Sequence, residues 1–353
     1  MELSDTLSQA QSKLRIAVVV PVYNTELYLR ECINSILAQS YKEFDIYIIN
    51  DASTDKSKEI IEEYKLRDSR IHLYNNSKNI GVSKARNYIL EIIELASNYD
   101  IICYIDSDDL VTYDYFESIA KHFKKFKSDS VIVGYKTFDK NSKSADLCRN
   151  HIAFEVNQDN AYKFCFGLDP FSKKKYCSIS LSLCNMAFNA KTVRGIRFDE
   201  KIRTAEDQDY ILRCLSKSKQ LTIDDNIYYL YRMRNSSLTN SDRIRLSDID
   251  VFLDWINNKN CLSMACRETV EHLAFQNFWR ATQAAAMQNK LLNLWPDLQA
   301  RLKIIENIFI TNELHTRKNK KRIFILKLGK FATFLYLKFS RIKSLNKKSN
   351  AFD

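Results

Sequence analysis

Ile101-Ile102-Cys103-Tyr104-Ile105-Asp106-Ser107-Asp108-Asp109 is an apolar run that ends abruptly in three carboxylates. A short apolar run of this kind is typical of a buried parallel strand. The carboxylates then follow the carboxyl end of the strand, and open α/β sheets bind their ligands at that edge. Three negative charges so close together favour a cation between them, and a divalent metal that takes oxygen ligands is the simplest candidate. The alternative is a solvated acidic turn that caps the next helix.

Apolar runs and helical patterns alternate along the first third of the chain. Strands are predicted at residues 15–20, 44–49, 71–74 and 101–105, with a helical pattern in each interval. This order favours βαβ units and a parallel sheet, as in the nucleotide-binding half of a doubly wound fold. Further strands are predicted at 129–138, 182–189 and 227–231, and the pattern from residue 246 is helical almost to the end. The glycine-rich phosphate loops G-x-G-x-x-G and G-x-x-x-x-G-K-[ST] do not occur, so side chains and a metal would have to hold a diphosphate.

Composition and charge limit the classes of protein to consider. The chain has 353 residues and is 45% hydrophobic, which is enough for one large or two modest domains. The net charge is +11, and the segment from His315 to Asn350 holds 12 basic residues and no Asp or Glu, so the rest is nearly neutral. We therefore expect no nucleic-acid partner. The nine irregularly spaced cysteines suit a reducing cytoplasm, and no apolar run is long enough to span a membrane.

Four sequence blocks stand in a fixed order in the first third of the chain. They are Val20-Pro21-Val22-Tyr23-Asn24-Thr25-Glu26, Asn50-Asp51-Ala52-Ser53-Thr54-Asp55, Asn79-Ile80-Gly81-Val82-Ser83-Lys84-Ala85-Arg86-Asn87 and Asp106-Ser107-Asp108-Asp109. Together they resemble the nucleotide-sugar half of family 2 glycosyltransferases of the bacterial surface-polysaccharide type. Glu206-Asp207 resembles the later acidic motif of that family, and Tyr231-Arg232-Met233-Arg234-Asn235-Ser236-Ser237 resembles a segment that often follows it.

The resemblance implies an α/β protein with the GT-A fold, a Rossmann-like, mostly parallel central sheet flanked by helices, with a helical C-terminal extension. It divides the chain into a lead-in at 1–13, a GT-A domain at 14–240, a helical region at 241–314 and a basic amphipathic tail at 315–353. Residues 14–110 of the domain would bind the nucleotide, and residues 111–240 would bind the acceptor.

The resemblance also implies a metal site in the carboxylate cluster. Asp108 would bind Mn²⁺ or Mg²⁺, and Asp106 would lie nearer the ribose and the metal. The metal would act as a Lewis acid on the charge that grows on the leaving diphosphate. Asp109 would orient the acceptor or cap the following helix.

Nucleotide-sugar binding is implied for Pro21, Val22, Tyr23, Glu26, Asp51, Arg86, Asp106, Arg232 and Arg234. Asp51 would accept a hydrogen bond from the uracil ring N–H, and the two last arginines would close over the diphosphate. Plainer roles remain open. Asp51 would instead bond its own backbone in a turn, Glu26 would favour a helix N-terminus, and the arginines would be surface charges.

Asp207 is the implied general base, which takes the proton from the acceptor hydroxyl. Glu206 would orient it or bond the acceptor. The family inverts the configuration at the anomeric carbon, so the base would lie opposite the diphosphate. The alternative is an acidic cluster that caps a helix.

These expectations together describe an inverting, metal-dependent hexosyltransferase that uses a UDP-sugar and a glycan acceptor, lipid-linked, in bacterial capsule, lipopolysaccharide or exopolysaccharide synthesis. One alternative is a sugar-nucleotide nucleotidyltransferase, which would need a glycine-rich loop that residues 21–26 lack. Another is a non-catalytic glycan- or membrane-binding protein on a GT-A scaffold, although Asp106, Asp108 and Asp207 are intact. A nucleic-acid binder driven by the basic tail is the third.

The basic tail carries an apolar stripe at helical spacing. The stripe consists of Phe324, Leu328, Phe331, Leu335, Phe339 and Ile342, with Lys327, Lys330, Lys338 and Arg341 beside or opposite it. Such a helix can lie in a membrane interface. We therefore expect a cytoplasmic protein that is peripheral to the inner membrane. The alternative is a terminal helix that packs on the body with a solvated basic face.

Overall fold

The computed structural model describes residues 13–138, 153–165, 182–202, 205–233, 246–257, 263–309 and most of 321–337. These residues belong to two compact units. Among the described residues, the first unit contains 13–161, 182–200 and 207–233, which include the sheet. The second contains 162–165, 201–202, 205–206 and the helices from residue 246 onward.

The first part of the sheet is parallel because a helix connects each strand to the next. Its strands are β1 (Ile16–Val22), β2 (Phe44–Asn50), β3 (Ile71–Asn75) and β4 (Ile101–Tyr104), connected by α1 (Glu26–Leu37), α2 (Ser57–Arg67) and α3 (Val82–Ala96). They lie in the order β3-β2-β1-β4, so the direction of winding reverses between β1 and β4. Open α/β sheets bind ligands at the carboxyl ends of the strands at such a switch point. This part of the fold agrees with the sequence prediction.

The second part of the sheet is mixed. Its strands are β5 (Leu110–Val111), β6 (Ser130–Phe138), β7 (Ala153–Asn157), β8 (Met186–Asn189) and β9 (Gln220–Arg232), with α4 (Tyr115–Phe126), α5 (Gln158–Cys165) and α6 (Glu206–Lys217). β8 runs antiparallel between β4 and β6, β9 is parallel to β6, and β5 and β7 pair antiparallel with β9. The expected mostly parallel sheet is therefore correct only for the first part, because apolar runs do not reveal the direction in which a strand enters.

Buried polar residues shift the element boundaries of the second part. Residues 182–189 were expected to form one strand, but Leu183–Asn185 form a 3-10 turn before β8. The fully buried Asn185 side chain accepts a hydrogen bond from the Ser182 amide at 3.2 Å and donates one to the Val133 carbonyl at 2.7 Å. Because a buried amide must find partners, this side chain sets the local backbone.

A hydrophobic cluster of the first unit lies against one face of β1. The side chains of Ile16, Val18 and Val20 are fully buried in one cluster with apolar residues of α1 and α2. Full burial of such a side chain stabilises the fold by about 1.5–3 kcal/mol. Five cysteines of the described residues are buried and free, as expected for small core residues.

The second unit is helical among its described residues. It contains α7 (Leu246–Asn257), α8 (Met264–Met287) and α9 (Leu291–Phe309). α8 supplies a large buried face that includes Phe275, Phe278 and Trp279. None of the helices that the structure describes combines the length and the apolar composition that a membrane span needs.

Candidate active site

The residues Asp106–Asp109, here called the acidic turn, follow β4 at the switch point of the sheet. The Asp109 amide donates to the Asp106 carbonyl at 3.0 Å and closes the turn. The Asp106 side chain is 35% exposed and Asp108 is half-buried, whereas Asp109 is 1% exposed. Two carboxylates therefore face the edge of the sheet, and the third points inward.

The buried Asp109 carboxylate accepts hydrogen bonds from β9. Its Oδ2 accepts a hydrogen bond from the Tyr229 hydroxyl at 2.8 Å, and its Oδ1 accepts one from the Arg232 amide at 2.7 Å. Burial, followed by the charges of Asp106 and Asp108, raises the pKa of Asp109 to about 8. The expectation that Asp109 orients the acceptor or caps the helix is not met, because both oxygens are bonded within the protein and Asp114 is the N-cap of α4.

Arg86 approaches the turn from α3. Its side chain is 4% exposed, and its Nη2 donates to Asp106 Oδ1 at 3.1 Å. The guanidinium carbon lies 5.3 Å from the centroid of the Phe198 ring. The alternative of a surface arginine is therefore wrong. The buried cation balances part of the negative charge of the acidic turn.

Arg232, the last residue of β9, approaches the turn from a second direction. Its Nε donates to the Asp108 carbonyl at 2.7 Å, and its Nη2 donates to Glu31 Oε2 at 2.7 Å. The residue is 7% exposed, so the surface alternative is wrong for Arg232 as well. Arg234 lies outside the described residues.

Asp51 directly follows β2 and holds a distant loop. Its Oδ1 accepts from Asn76 Nδ2 at 2.7 Å and from the Ile80 amide at 2.9 Å, and its Oδ2 accepts from the Gly81 amide at 2.8 Å. The partners lie 25 to 30 residues away, so the alternative of a local turn is wrong. Gly81 has a φ of +88°, which glycine adopts without strain, and it is the N-cap residue of α3. The bonds to Asp51 therefore fix the start of this helix.

Glu26 and Asp55 exchange hydrogen bonds between two helix starts. Glu26 Oε2 accepts from the Lys56 amide at 2.8 Å, and Asp55 Oδ2 accepts from the Glu26 amide at 2.9 Å. Each carboxylate thus lies at the N-terminus of the other residue's helix, where unpaired amides favour negative charge. The helix-start interpretation of Glu26 is supported.

The remaining candidates of the first block lie at the end of β1. Pro21 is half-buried, Val22 is 1% exposed and Tyr23 is 49% exposed. The Val22 carbonyl accepts a hydrogen bond from the Asp51 amide at 2.9 Å. β1 and β2 therefore present their candidate residues side by side.

Glu206 and Asp207 occupy the first turn of α6, and both are half-buried. Three residues further on, the Tyr210 hydroxyl lies 2.7 Å from the Tyr104 hydroxyl of β4. The Tyr210 ring also stacks on Phe198, with centroids 3.9 Å apart. The helix that carries the candidate base is therefore bonded to the same strand that ends in the acidic turn.

Phe198 is itself fixed by Asn87. The Asn87 side chain accepts a hydrogen bond from the Phe198 amide at 2.8 Å and donates one to its carbonyl at 2.9 Å. Asn87 is adjacent to Arg86 on α3, so one helix contacts both the acidic turn and the support of α6.

Comparison with known proteins gives this arrangement a family. Residues 17–184 match the family model described as Glycosyl transferase family 2. This segment of the chain is therefore similar to the family 2 glycosyltransferase domain. The sequence is 33% identical over 229 residues to glycosyltransferase GlyA of Streptococcus pneumoniae serotype 4. The aligned region covers 64% of this chain and 31% of GlyA. It is 31% identical over 220 residues to the minor teichoic acid biosynthesis protein GgaB of Bacillus subtilis. This aligned region covers 62% of the chain and 23% of GgaB.

The chain thus spans less than a third of the length of these two relatives.

Among solved structures, residues 1–349 of S. aureus TarS in complex with UDP superpose with a TM-score of 0.68 at 18% identity. The superposition covers 94% of this chain and 92% of the TarS chain. The mannosyltransferase PcManGT of Pyrobaculum calidifontis, in complex with GDP-Man and Mn²⁺, superposes with a TM-score of 0.53 at 13% identity. The superposition covers 95% of this chain and 88% of the PcManGT chain. These similarities confirm the GT-A fold.

The carboxylates of the acidic turn fit a metal that a substrate phosphate helps to bind. Within the part of the chain that the structure describes, no group of three or more His, Cys, Asp or Glu side chains could hold a metal alone. Mg²⁺ is usually bound by one or two carboxylates together with substrate phosphates. Asp106 and Asp108, which are both partly exposed, are oxygen donors of this kind.

Several residues that support the candidate site were missed in the sequence. They are Glu31, Asn87, Tyr104, Phe198, Tyr210 and Tyr229. The only feature of the sequence that points to Asn87 is its position at the end of the third of the four sequence blocks. The others look like ordinary surface or core residues until the fold brings their partners close.

Proposed function

We propose that the protein is an inverting, metal-dependent glycosyltransferase that moves a hexose from a UDP-sugar to a lipid-linked glycan acceptor in bacterial capsule, lipopolysaccharide or exopolysaccharide synthesis. The observation that carries the proposal is the acidic turn. Asp106 and Asp108 face the switch point of the sheet, and the helix with Asp207 is bonded to the strand that ends there. The TarS complex with UDP-GlcNAc has the same fold and supports a UDP-sugar donor.

The proposed donor contacts come from residues at the carboxyl ends of β1 and β2 and from α3. Asp51 Oδ2 accepts one internal hydrogen bond, and a carboxylate oxygen can accept a second one from the uracil N–H. Pro21, Val22 and Tyr23 line the base at the end of β1. Arg86 lies beside Asp106, on the side of the turn where the ribose and diphosphate would lie.

The transfer step requires one proton acceptor and a stabilised leaving group. As the acceptor oxygen attacks the anomeric carbon, Asp207 takes the hydroxyl proton, and the bond from that carbon to the diphosphate oxygen breaks. Glu206 orients Asp207 or bonds the acceptor. A Mn²⁺ or Mg²⁺ ion held by Asp108 and Asp106 would supply Lewis-acid stabilisation of the diphosphate charge. The buried Arg86 adds a fixed positive charge next to Asp106.

The test is a screen of nucleotide-sugars for hydrolysis and for thermal stabilisation, with and without Mn²⁺. A ligand at a hundred times its Kd stabilises a protein by about 2.7 kcal/mol, so UDP-sugars should raise Tm by several degrees in the presence of the metal. Stabilisation by GDP-sugars alone would contradict the donor assignment. Release of pyrophosphate from a nucleoside triphosphate and a sugar phosphate would identify a nucleotidyltransferase, and the absence of any turnover would favour a binding protein.

Membrane attachment through the tail belongs to the same proposal. The described residues of the tail pack on α8 through one face, where Arg322 lies 4.8 Å from the Trp279 ring and Leu326 and Leu337 are buried. Phe324 and Leu328, two residues of the expected stripe, are 61% and 58% exposed. The other four stripe residues lie outside the described residues. A packed helix that presents apolar side chains among basic residues suits an anionic membrane surface.

Replacing both Phe324 and Leu328 by Asp is expected to weaken binding to liposomes with anionic lipid at least about tenfold, because two apolar side chains no longer enter the interface. Flotation with phosphatidylglycerol-containing liposomes is the measurement.

Leu66→Asp is the control, since Leu66 is 89% exposed in the first unit. Activity on a soluble acceptor should remain. Equal flotation of all variants would rule out this anchor. Truncation after residue 314 is less informative, because it removes buried residues.

A further inference from the structure

We propose that Arg232 and Glu31 are positioning residues that hold the acidic turn in the shape that binds the metal and the donor diphosphate. The two residues are called the brace below. The inference rests on the proposed function and changes the role that the family resemblance implies for Arg232. Nothing in the sequence singles out Glu31.

The first observation is the direction of the Arg232 side chain. Nε and Nη2 donate to the Asp108 carbonyl and to Glu31, each at 2.7 Å. The guanidinium carbon lies 4.5 Å from the centroid of the Phe138 ring and 5.0 Å from that of Tyr28. Two hydrogen bonds and two ring contacts hold the cation against the turn, so Nε and Nη2 are both bonded within the protein in this arrangement.

The second observation is that the end of β9 contacts three residues of the acidic turn. The Arg232 amide donates to Asp109, the Arg232 side chain donates to Asp108, and the Tyr229 hydroxyl accepts from the Asp106 amide at 3.2 Å. Carboxylates that share a metal must lie at fixed positions although they repel one another. The Arg232 side chain supplies part of that restraint through the backbone carbonyl of Asp108.

Glu31 is the part of the brace that α1 contributes. Its side chain is 60% exposed, whereas the Arg232 side chain is 8% exposed. Glu31 therefore orients a buried arginine from the surface, and it can be changed without opening the core. Residues that orient metal ligands through hydrogen bonds commonly change metal affinity by about 10–100-fold when they are replaced.

The experiment compares Glu31→Gln and Arg232→Gln with Glu63→Gln. Glu63 is the matched control because it also forms a partly exposed ion pair with an arginine, Arg30, at 2.6 Å. Calorimetry with UDP and Mn²⁺ should show at least about tenfold weaker metal-dependent UDP binding for Arg232→Gln and a smaller, clear loss for Glu31→Gln. Glu63→Gln should match the unchanged protein. Arg232→Lys should not restore affinity, because an ammonium cannot make both contacts of the planar group.

A second measurement does not depend on the ligand. Amide hydrogen exchange of the ligand-free protein should be faster at residues 106–109 in Glu31→Gln and Arg232→Gln, at unchanged Tm for Glu31→Gln. Should Arg232 instead bind the diphosphate directly, Glu31→Gln would leave UDP binding equal or make it tighter, and this outcome would overturn the brace. Absence of metal-dependent UDP binding in the unchanged protein would count against the proposed function, and the exchange measurement would still decide whether the brace holds the turn.

Discussion

Asp207→Asn is expected to slow sugar transfer by about a hundredfold or more, while donor binding stays close to that of the unchanged protein. The amide has the size of the carboxylate but cannot take the proton of the acceptor hydroxyl, and loss of a general base typically costs about 10²–10⁴-fold. Asp207 is half-buried in the first turn of α6, and the contacts that fix this helix are made by Tyr210. The substitution therefore removes the chemistry and leaves the support. Initial rates with donor and acceptor give kcat, and calorimetry gives the donor Kd.

The neighbouring carboxylate provides the comparison for this prediction. Glu206→Gln should reduce the rate less than Asp207→Asn, because Glu206 is proposed to orient the base or bond the acceptor. Near-normal turnover of Asp207→Asn together with an inactive Glu206→Gln would show that the other carboxylate is the base. Loss of donor binding in Asp207→Asn would place this residue in the donor site.

Asp108→Ala is expected to abolish Mn²⁺-dependent binding of UDP and to leave the fold intact. The variant removes one of the two partly exposed carboxylates of the acidic turn, and this is the carboxylate that is proposed to bind the metal. The contact from Arg232 goes to the backbone carbonyl of Asp108, so alanine keeps it. Titration of UDP with and without Mn²⁺ measures the effect, and the unfolding temperature checks the fold.

Asp207→Asn serves as the control for this experiment, since it should keep metal-dependent UDP binding while Asp108→Ala loses it. Unchanged UDP affinity in Asp108→Ala would remove this residue from the metal site. A lower Tm in the ligand-free Asp108→Ala protein would point to a structural role of the side chain.

Much of the first part of the fold could be predicted because its signals are local. A parallel strand buried on both faces is an uninterrupted apolar run, as in Ile101–Tyr104, and helical spacing marks the segments between such runs. The clustering of Asp106 and Asp108 after a strand end follows from chain order alone. The direction of β8 does not, because antiparallel and parallel entry leave the same apolar pattern in a short strand.

The sequence by itself determined the succession of strands and helices over residues 15–105, the acidic turn and the acidic cluster at residues 206–207. Only the tertiary structure decided what the charged residues contact. Arg232 and Glu31 are 201 positions apart, and Asp109 meets Tyr229 across 120. Whether an arginine is a surface charge, a ligand contact or a support depends on which oxygens lie within about 3 Å of it. That distance is set by the packing of β9, α1 and α3 around the turn, and sequence periodicity describes only neighbours along one helix or strand.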